Sequence, residues 1–367
     1  MSSKLTITNE TDYNETFRSE KVRSQFDIQP KDKLTHKVTL DWDLPTDWGV
    51  GAVVGPSGSG KTTLAAQQFQ NAELFDGTEA VIDWPDDESI VDGFPQSASV
   101  SDITEALSRV GFSSPPHWLQ PYYTLSTGQR FRVDMARLLI DPTNTPKVVD
   151  EFTSTVDRKV AKSISHATAK YARAQNQQFV AVSCHYDILD WLEPDWVVDL
   201  ETEEVMVNPP FRKPEIEIEI RPVHTKAWSI FREHHYLDHS INKAAHCYVG
   251  YWDDEPVSFV GVLHFPHKST SKWKRVTRFV TLPAYQGLGI GSNVLNKVAD
   301  FYRQGGNRFT ITTSHPALMH ALNGSSVWRC TRGLSRNARH QGTQKAMNKT
   351  HSARRKTATF EYDGGVK

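Results

Sequence analysis

Cysteine is scarce in this chain: Cys184, Cys247 and Cys330 are the only three among 367 residues. They are too few and too scattered for a disulfide framework or a zinc site, and reducing, cytoplasmic surroundings are expected. No apolar run approaches the ~18 residues of a membrane span. The opening residues are polar and of mixed charge, so no secretory leader is expected. Low-complexity tracts and internal repeats are missing too. The most telling shortage is of acids. Between Pro256 and Phe360 only Asp300 is acidic, against 17 Lys and Arg; the rest of the chain holds 25 Lys and Arg against 42 acids. A net charge of −1 therefore conceals a molecule polarised along its length, as chains with a polyanion partner often are.

The length predicts two or three domains, and 38% hydrophobic residues are enough for ordinary cores. Residues 36–54 read as short strands around a Leu-Pro-Thr-Asp turn, and a helix is expected from Thr62 to about Gln70. Ala80–Trp84 reads as a strand, 101–110 and Gln129–Ile140 as helices, and Lys147–Asp150 and Phe179–Val182 as buried strands. Strands alternating with helices predict a mostly parallel α/β sheet. Three prolines in 208–214 mark a boundary. Beyond it the spacing predicts a strand at Glu215–Arg221 and a helix from Thr225 to about His235. Strands follow at Ala245–Trp252, Pro256–Phe265 and Arg275–Leu282, then a helix over 293–303 and a strand at Arg308–Thr313.

Gly55-Pro56-Ser57-Gly58-Ser59-Gly60-Lys61-Thr62 has the G-x-x-x-x-G-K-[ST] spacing of a loop whose backbone N–H groups and lysine hold nucleoside triphosphate. Four further pieces follow in order: Leu125-Ser126-Thr127-Gly128-Gln129, Val148-Val149-Asp150-Glu151, Ser154-Thr155-Val156-Asp157 and Ser183-Cys184-His185. Over roughly residues 25–205 this resembles the ATP-binding cassette (ABC) ATPases. The pieces are similar to that family's Walker A loop, LSGGQ signature, Walker B strand, D-loop and switch histidine. Gln96 stands where the Q-loop glutamine would, and Phe26 is the candidate to stack on adenine.

The resemblance implies roles for these residues. Gly55, Ser57, Gly58, Gly60, Lys61, Thr62 and Thr63 bind ATP phosphates. Thr62 and Asp150 hold Mg²⁺, and Glu151 and His185 serve the hydrolytic step. Ser126 and Gly128 offer a hydroxyl and an N–H to a phosphate of the facing subunit in an ATP-dependent homodimer, and Gln96, Gln129 and Asp157 are further nucleotide-binding residues. Two features depart from the family. Thr127 replaces a glycine in the signature, and only about 30 residues separate Gln96 from it. That stretch docks membrane partners in transporters, and its shortness argues for a soluble relative.

A second phosphate cradle, Gln286-Gly287-Leu288-Gly289-Ile290-Gly291-Ser292, follows an apolar strand and opens a helix. A Rossmann-type loop is disfavoured, because no acid stands about 20 residues on to bind a ribose. Residues 215–330 resemble the GNAT acetyltransferases, whose [RQ]-x-x-G-x-[GA] loop holds the pyrophosphate of acetyl-CoA or another acyl-CoA. The resemblance assigns Val280, Gln286, Gly287, Leu288, Gly289, Ile290, Gly291 and Ser292 to that cofactor. The family's thiolate-protonating tyrosine falls on Ala321, so that acid is missing or replaced. His234, His235 and His320 are the candidate catalytic residues, with His264 a further base.

The expected organisation is thus an ABC ATPase domain (1–207), a linker (208–214), an α+β GNAT-like mixed-sheet domain (215–330) and a basic extension (331–367). CoA alone does not need so cationic a partner. Lys268, Lys272, Lys274, Arg275 and Arg278 precede the second cradle; Arg329, Arg332, Arg336, Arg339, Lys345, Lys349, Arg354, Arg355 and Lys356 follow it. Trp273 and Trp328 lie among them and are expected to stack on bases. Three readings stay open: an acetyltransferase modifying DNA or RNA, an ATP-gated nucleic-acid clamp whose GNAT-like domain has lapsed, and a small-amine or protein acetyltransferase with a regulatory ATPase. Bacterial tRNA cytidine acetyltransferases and Mom-type DNA-modifying proteins offer analogies in logic for the first.

Overall fold

The computed structural model describes residues 3–12, 16–27, 33–70, 72–78, 83–265, 272–336 and 356–364. In chain order come β1 (Ser3–Asp12), α1 (Phe17–Phe26), β2 (Lys33–Trp42), β3 (Val50–Val54), α2 (Lys61–Gln68), β4 (Glu73–Asp76), α3 (Val100–Arg109), α4 (Pro115–Trp118) and α5 (Thr127–Leu139). Next are β5 (Lys147–Asp150), α6 (Arg158–Ala174), β6 (Phe179–Ser183), α7 (Leu189–Leu192), β7 (Trp196–Asp199) and β8 (Glu204–Val207). After the prolines follow β9 (Glu219–Val223), α8 (Trp228–Phe231), β10 (His246–Trp252), β11 (Glu255–His264), β12 (Trp273–Thr281), α9 (Ile290–Gln304), β13 (Arg308–Thr313), α10 (Pro316–Asn323), β14 (Trp328–Arg336) and β15 (Lys356–Tyr362). Among the described residues no helix is long and apolar enough to cross a membrane.

The chain divides into two compact units. The first takes the described residues of 1–83, 141–156 and 169–213; the second takes those of 84–140, 157–168 and 214–367. In the first, a six-stranded sheet has the order β4-β5-β6-β3-β7-β8, parallel except for β8. Strands β3 and β6 are buried along their whole length, as parallel strands covered on both faces must be. Their shared direction brings the ends of β3, β5 and β6 to one sheet edge, where α/β sheets hold ligands. Strands β1 and β2 form a separate antiparallel pair. Val38 and Leu40 of β2 pack with Val53, Leu64, Val182 and Val198 in the core.

The second unit holds a seven-stranded sheet of order β14-β15-β13-β12-β11-β10-β9. It is antiparallel except where β12 meets β13. That parallel pairing runs only from Trp273↔Arg308 to Val276↔Ile311, whereas β12 continues to Thr281. The two strands therefore part and leave unpaired backbone edges between them. Helices α3 and α5, and residues 158–168 of α6, belong to this same unit.

Several elements differ from the sequence expectation. The sheet runs past residue 330: β15 lies between β13 and β14, with Ala358, Phe360 and Tyr362 buried. Its apolar residues alternate with polar ones, so the strand hides in a basic stretch. The helix expected over 225–235 splits into a 3-10 turn (Thr225–Ala227), α8 and another 3-10 turn (Arg232–His234). Only Trp228 and Phe231 of α8 are buried, and that single turn suffices to place them. The strand expected at 215–221 pairs only from Glu219. Most of the expected strand at 80–84 lies outside the described residues.

Two candidate functional sites

The first site grows from β3. Its last residue leads into a loop in which Gly58 (φ +81°) and Gly60 (φ +94°) take the left-handed backbone that turns successive N–H groups inward. Gly60 caps α2 without a side-chain acceptor, so the helix N-terminus is open to an anion. Lys61 is buried and folds over the loop, its Nζ donating to Gly55 O (3.0 Å) and Pro56 O (2.9 Å). Ser59 Oγ is buried with no hydrogen-bond partner among the described residues. Ser57 and Thr62 are exposed and Thr63 is half-buried.

From the end of β5, Asp150 Oδ2 accepts from Thr62 Oγ1 at 2.6 Å, and Asp150 Oδ1 accepts from Glu151 N at 2.9 Å. Two hard oxygen ligands thus meet beside the phosphate loop. No group of three His, Cys, Asp or Glu side chains gathers as a metal site among the described residues. A Mg²⁺ here would draw its remaining ligands from phosphate and water, as this ion commonly does. Glu151 (φ +48°) and Thr153 (φ +62°) are left-handed, a strain typical of functional turns. The turn is pinned by Phe152 N donating to Val182 O (2.8 Å) and by Ser183 Oγ donating to Phe152 O (3.0 Å). His185, half-buried, follows directly and donates its N–H to Ser183 Oγ (3.2 Å).

The remaining cassette-like residues are placed individually. Ser126 to Gln129 form the capped start of α5, where Gln129 Oε1 accepts Ser126 N at 3.0 Å. Thr127 is exposed on the first helical turn, so the threonine in place of glycine meets no crowding. Gly128 lies against Val160, and Asp157 Oδ1 accepts Lys159 N (2.9 Å) at the head of α6. Gln96 is exposed in a turn, and Phe26 is 73% exposed at the end of α1.

The second site lies where β12 and β13 part. A cavity of about 270 Å³ is lined by β12 from Val276 to Thr281, by Ile311–Thr313 of β13 and by most of the Gln286–Ser292 loop. Val280 lies on this wall. Gly289 (φ +80°) caps α9 with no side-chain acceptor and faces open space. At Gly291 a Cβ would lie 2.6 Å from Thr281 Oγ1, so the loop can approach the strand only with glycine there. This backbone-lined slot with a free helix N-terminus fits a pyrophosphate carrying a narrow thiol arm.

Of the histidines, His234 and His235 line the cavity. Burial pushes the pKa of His235 down to about 4, and Arg278 adds to the shift; burial also lowers His234. Both are neutral near pH 7, as a proton acceptor must be. His320 and His264 do not join them. His320 is exposed on α10 beside Arg109 (3.2 Å) and Glu105, and His264 is exposed on β11. Ala321 does line the cavity, so the place of the family's tyrosine is empty of any acid.

Sequence reasoning missed three residues of this wall. His315 caps α10 just ahead of Pro316, is half-buried, and bonds Ser113 O through Nε2. Tyr236 lines the cavity with its hydroxyl 3.2 Å from Ser314 Oγ. Ser113 donates N (3.2 Å) and Oγ (2.9 Å) to Gln286 Oε1. Only Pro316, which marks a helix start and so a fixed preceding residue, gave a local signal.

The basic half is less free than its sequence implied. Arg308 and Arg329 both pair with the buried carboxylate of Glu361, one residue past the acid-poor stretch. Their cations hold that carboxyl below its usual range. Trp328 is a core residue, with Nε1 donating to Asn296 Oδ1 (2.7 Å) and its ring against Tyr362, so it does not stack on bases. Trp273 lies under the Arg308 guanidinium. Lys268, Arg339, Lys345, Lys349, Arg354 and Arg355 lie outside the described residues.

Residues 186–323 match the acetyltransferase (GNAT) family. The match begins at Tyr186, ahead of α7 in the first unit, and ends with α10. No functionally curated protein has a matching sequence. Among solved structures, the chain is similar to cbiO1 of Clostridium perfringens, part of an ABC transporter complex. That match has 17% identity and a TM-score of 0.36, covering 46% of this chain and 79% of that one. It is also similar to an ATP-binding cassette in a dimeric post-hydrolysis state bound to ADP and Pi (15% identity, TM-score 0.36, 48% and 94% covered). A bacterial Atm1-family ABC exporter with ATP bound matches at 18% identity and TM-score 0.33, covering 48% of this chain and 35% of the exporter. Likenesses this distant carry no argument alone; the reading of the first site rests on its loop, the Thr62–Asp150 pair and the ordered motifs.

Proposed function

We propose that this chain is an ABC-type ATPase fused to an acyl-CoA-dependent acetyltransferase that modifies nucleic acid, and that it works in the cytoplasm as an ATP-dependent homodimer. The proposed domains are a cassette over 1–207, the linker 208–214 and a transferase from 215 whose sheet includes β15. The parting of β12 and β13 beside the Gln286–Ser292 loop carries the transferase half. The Thr62–Asp150 pair at the head of the phosphate loop carries the ATPase half.

ATP with Mg²⁺ supplies a transferable γ-phosphoryl group. Lys61, released from the carbonyls it now holds, neutralises β- and γ-phosphate charge, while Thr62 and Asp150 hold the metal. Glu151 orients and polarises the attacking water, and His185 donates toward the γ-phosphate. Ser126 and Gly128 offer a hydroxyl and an N–H to the phosphate of a second copy, which makes each site incomplete alone.

Acetyl-CoA or another acyl-CoA supplies the thioester. The amides opening α9 bind its pyrophosphate, and the free edge of β12 near Val280 binds the thiol arm. His234 or His235 takes the proton of the attacking amine as the C–N bond forms and the thioester C–S bond breaks. The acceptor is argued from charge: Lys272, Lys274, Arg275 and Arg278 stand on or before β12, and the acid-poor stretch continues past the cradle. A second reading, a lapsed transferase serving as an ATP-gated clamp, is favoured by the alanine at 321.

Incubation with radiolabelled acetyl-CoA and ATP, offered DNA, tRNA, protein and small amines separately, distinguishes these readings. Label in DNA or tRNA is expected. Label only in protein or amines rejects the nucleic-acid acceptor. Salt-sensitive binding without label favours the clamp. Lys61→Ala and Glu151→Gln should each cut ATP hydrolysis by at least about 100-fold, in line with losing a main phosphate or water contact. Normal turnover in both would sink the cassette reading.

A further inference from the structure

Arg132 of α5 is 3% exposed, and burial pulls its pKa down to about 10. Among the described residues its acceptors are all neutral: Val110 O (2.6 Å), Ser163 Oγ, and Pro283 O at the outer limit of 3.5 Å. A buried guanidinium without a carboxylate is costly to keep. Its reach is correspondingly informative, joining α5, the turn after α3, α6 and the loop ahead of Gln286.

The same turn closes on the acyl-CoA loop. Gly111 (φ +82°) leaves so little room that a Cβ would lie 2.2 Å from Arg132 Nη1 and 2.9 Å from Gln286 O. Two residues on, Ser113 holds Gln286 Oε1, while Gln286 Nε2 donates to Thr281 O (2.9 Å). At Gly287 a Cβ would lie 2.9 Å from Ala167 Cβ of α6. The loop that cradles pyrophosphate therefore rests its back on α5, α6 and the turn after α3. A second cavity of about 120 Å³ spans the same ground, lined at one side by Ser126, Gly128 and Gln129 and at the other by Pro283, Ala284 and Gln286.

We propose that Arg132 and Ser113 are positioning residues through which the helix bearing Ser126–Gln129 sets the acyl-CoA loop, so that nucleotide engaged at Ser126 and Gly128 changes acyl-CoA affinity. This rests on the function proposed above. By linkage, acyl-CoA must change nucleotide affinity by the same factor.

The test uses the full chain carrying Glu151→Gln, with radiolabelled acetyl-CoA in equilibrium dialysis, with and without ATP and Mg²⁺. A change in Kd of about fivefold or more is expected, the lower end of ordinary coupling. Arg132→Lys keeps the charge but loses the fork, and Ser113→Ala loses only the hydroxyl. Both should still bind acetyl-CoA, with the ratio of the two Kd values brought near one. Ser113→Ala, on a half-buried turn, decides the matter if Arg132→Lys does not fold. Acetyl-CoA binding with equal Kd in both nucleotide states overturns the coupling alone, and no binding in either state overturns the acyl-CoA reading with it. A shift that survives in Ser113→Ala and in any folded Arg132→Lys overturns the assignment to this pair.

Discussion

At the scale of the residue, His235 shows how a cavity wall stores a pH dependence. Its folded pKa, about 4, lies below its ordinary value of 6.5. The unfolded chain therefore binds the extra proton between those values, and stability falls as pH drops through that window. The shift corresponds to a loss on the order of 3 kcal/mol once pH reaches 4. Asp134 works in the opposite direction: burial raises its pKa to about 6, so its contribution is lost as pH rises through that value. Comparing wild type with His235→Phe cancels Asp134. The variant keeps an aromatic ring beside Trp228, and its melting temperature should gain on that of wild type as pH falls from 7 to 4.5; a constant difference between the two would disprove this. The phosphate-loop residues were legible because their chemistry is local, fixed by spacing within eight residues. His315, Tyr236 and Ser113 were not, because only the tertiary fold brings them to one wall.

At the scale of the element, patterns of period 3.6 were read well. Helices expected over 101–110 and Gln129–Ile140 lie at Val100–Arg109 and Thr127–Leu139. Strand β15 shows why others were not. Lys356-Thr357-Ala358-Thr359-Phe360-Glu361-Tyr362 offers few large apolar residues, yet its Glu361 pairs with two arginines and its Phe360 is fully buried. Phe360→Ala should cost about 3–5 kcal/mol in urea unfolding, the range for a large core side chain. A loss below about 1 kcal/mol would place β15 outside the cooperative core. The single helix expected at 225–235 failed for a related reason, since a buried Trp228 and Phe231 need only one turn.

At the scale of the whole molecule, the charge imbalance was plain in the sequence while its partial neutralisation was not. Pairing of Arg308 and Arg329 with Glu361 and Asp363 offsets two cations, so the salt slope of DNA or RNA binding should be smaller than 17 cations imply. Log Kd against log salt measures it, and a flat line would remove nucleic acid from the proposal. The half-sites implied by Ser126 and Lys61 make a second prediction. With ATP and Mg²⁺, light scattering of Glu151→Gln should give twice the monomer mass, and one mass in both conditions would contradict the dimer.

The place of β15 has a consequence for synthesis on the ribosome. Among the described residues strand β14 has no sheet neighbour except β15, and β13 waits for the same strand on one edge. Both precede 356–362 in the chain. The transferase sheet must hold two unsatisfied edges until that late segment arrives, a long-range closure of the kind that slows folding and invites mispairing. A nonsense codon near position 350 would thus remove the strand with which both β13 and β14 pair.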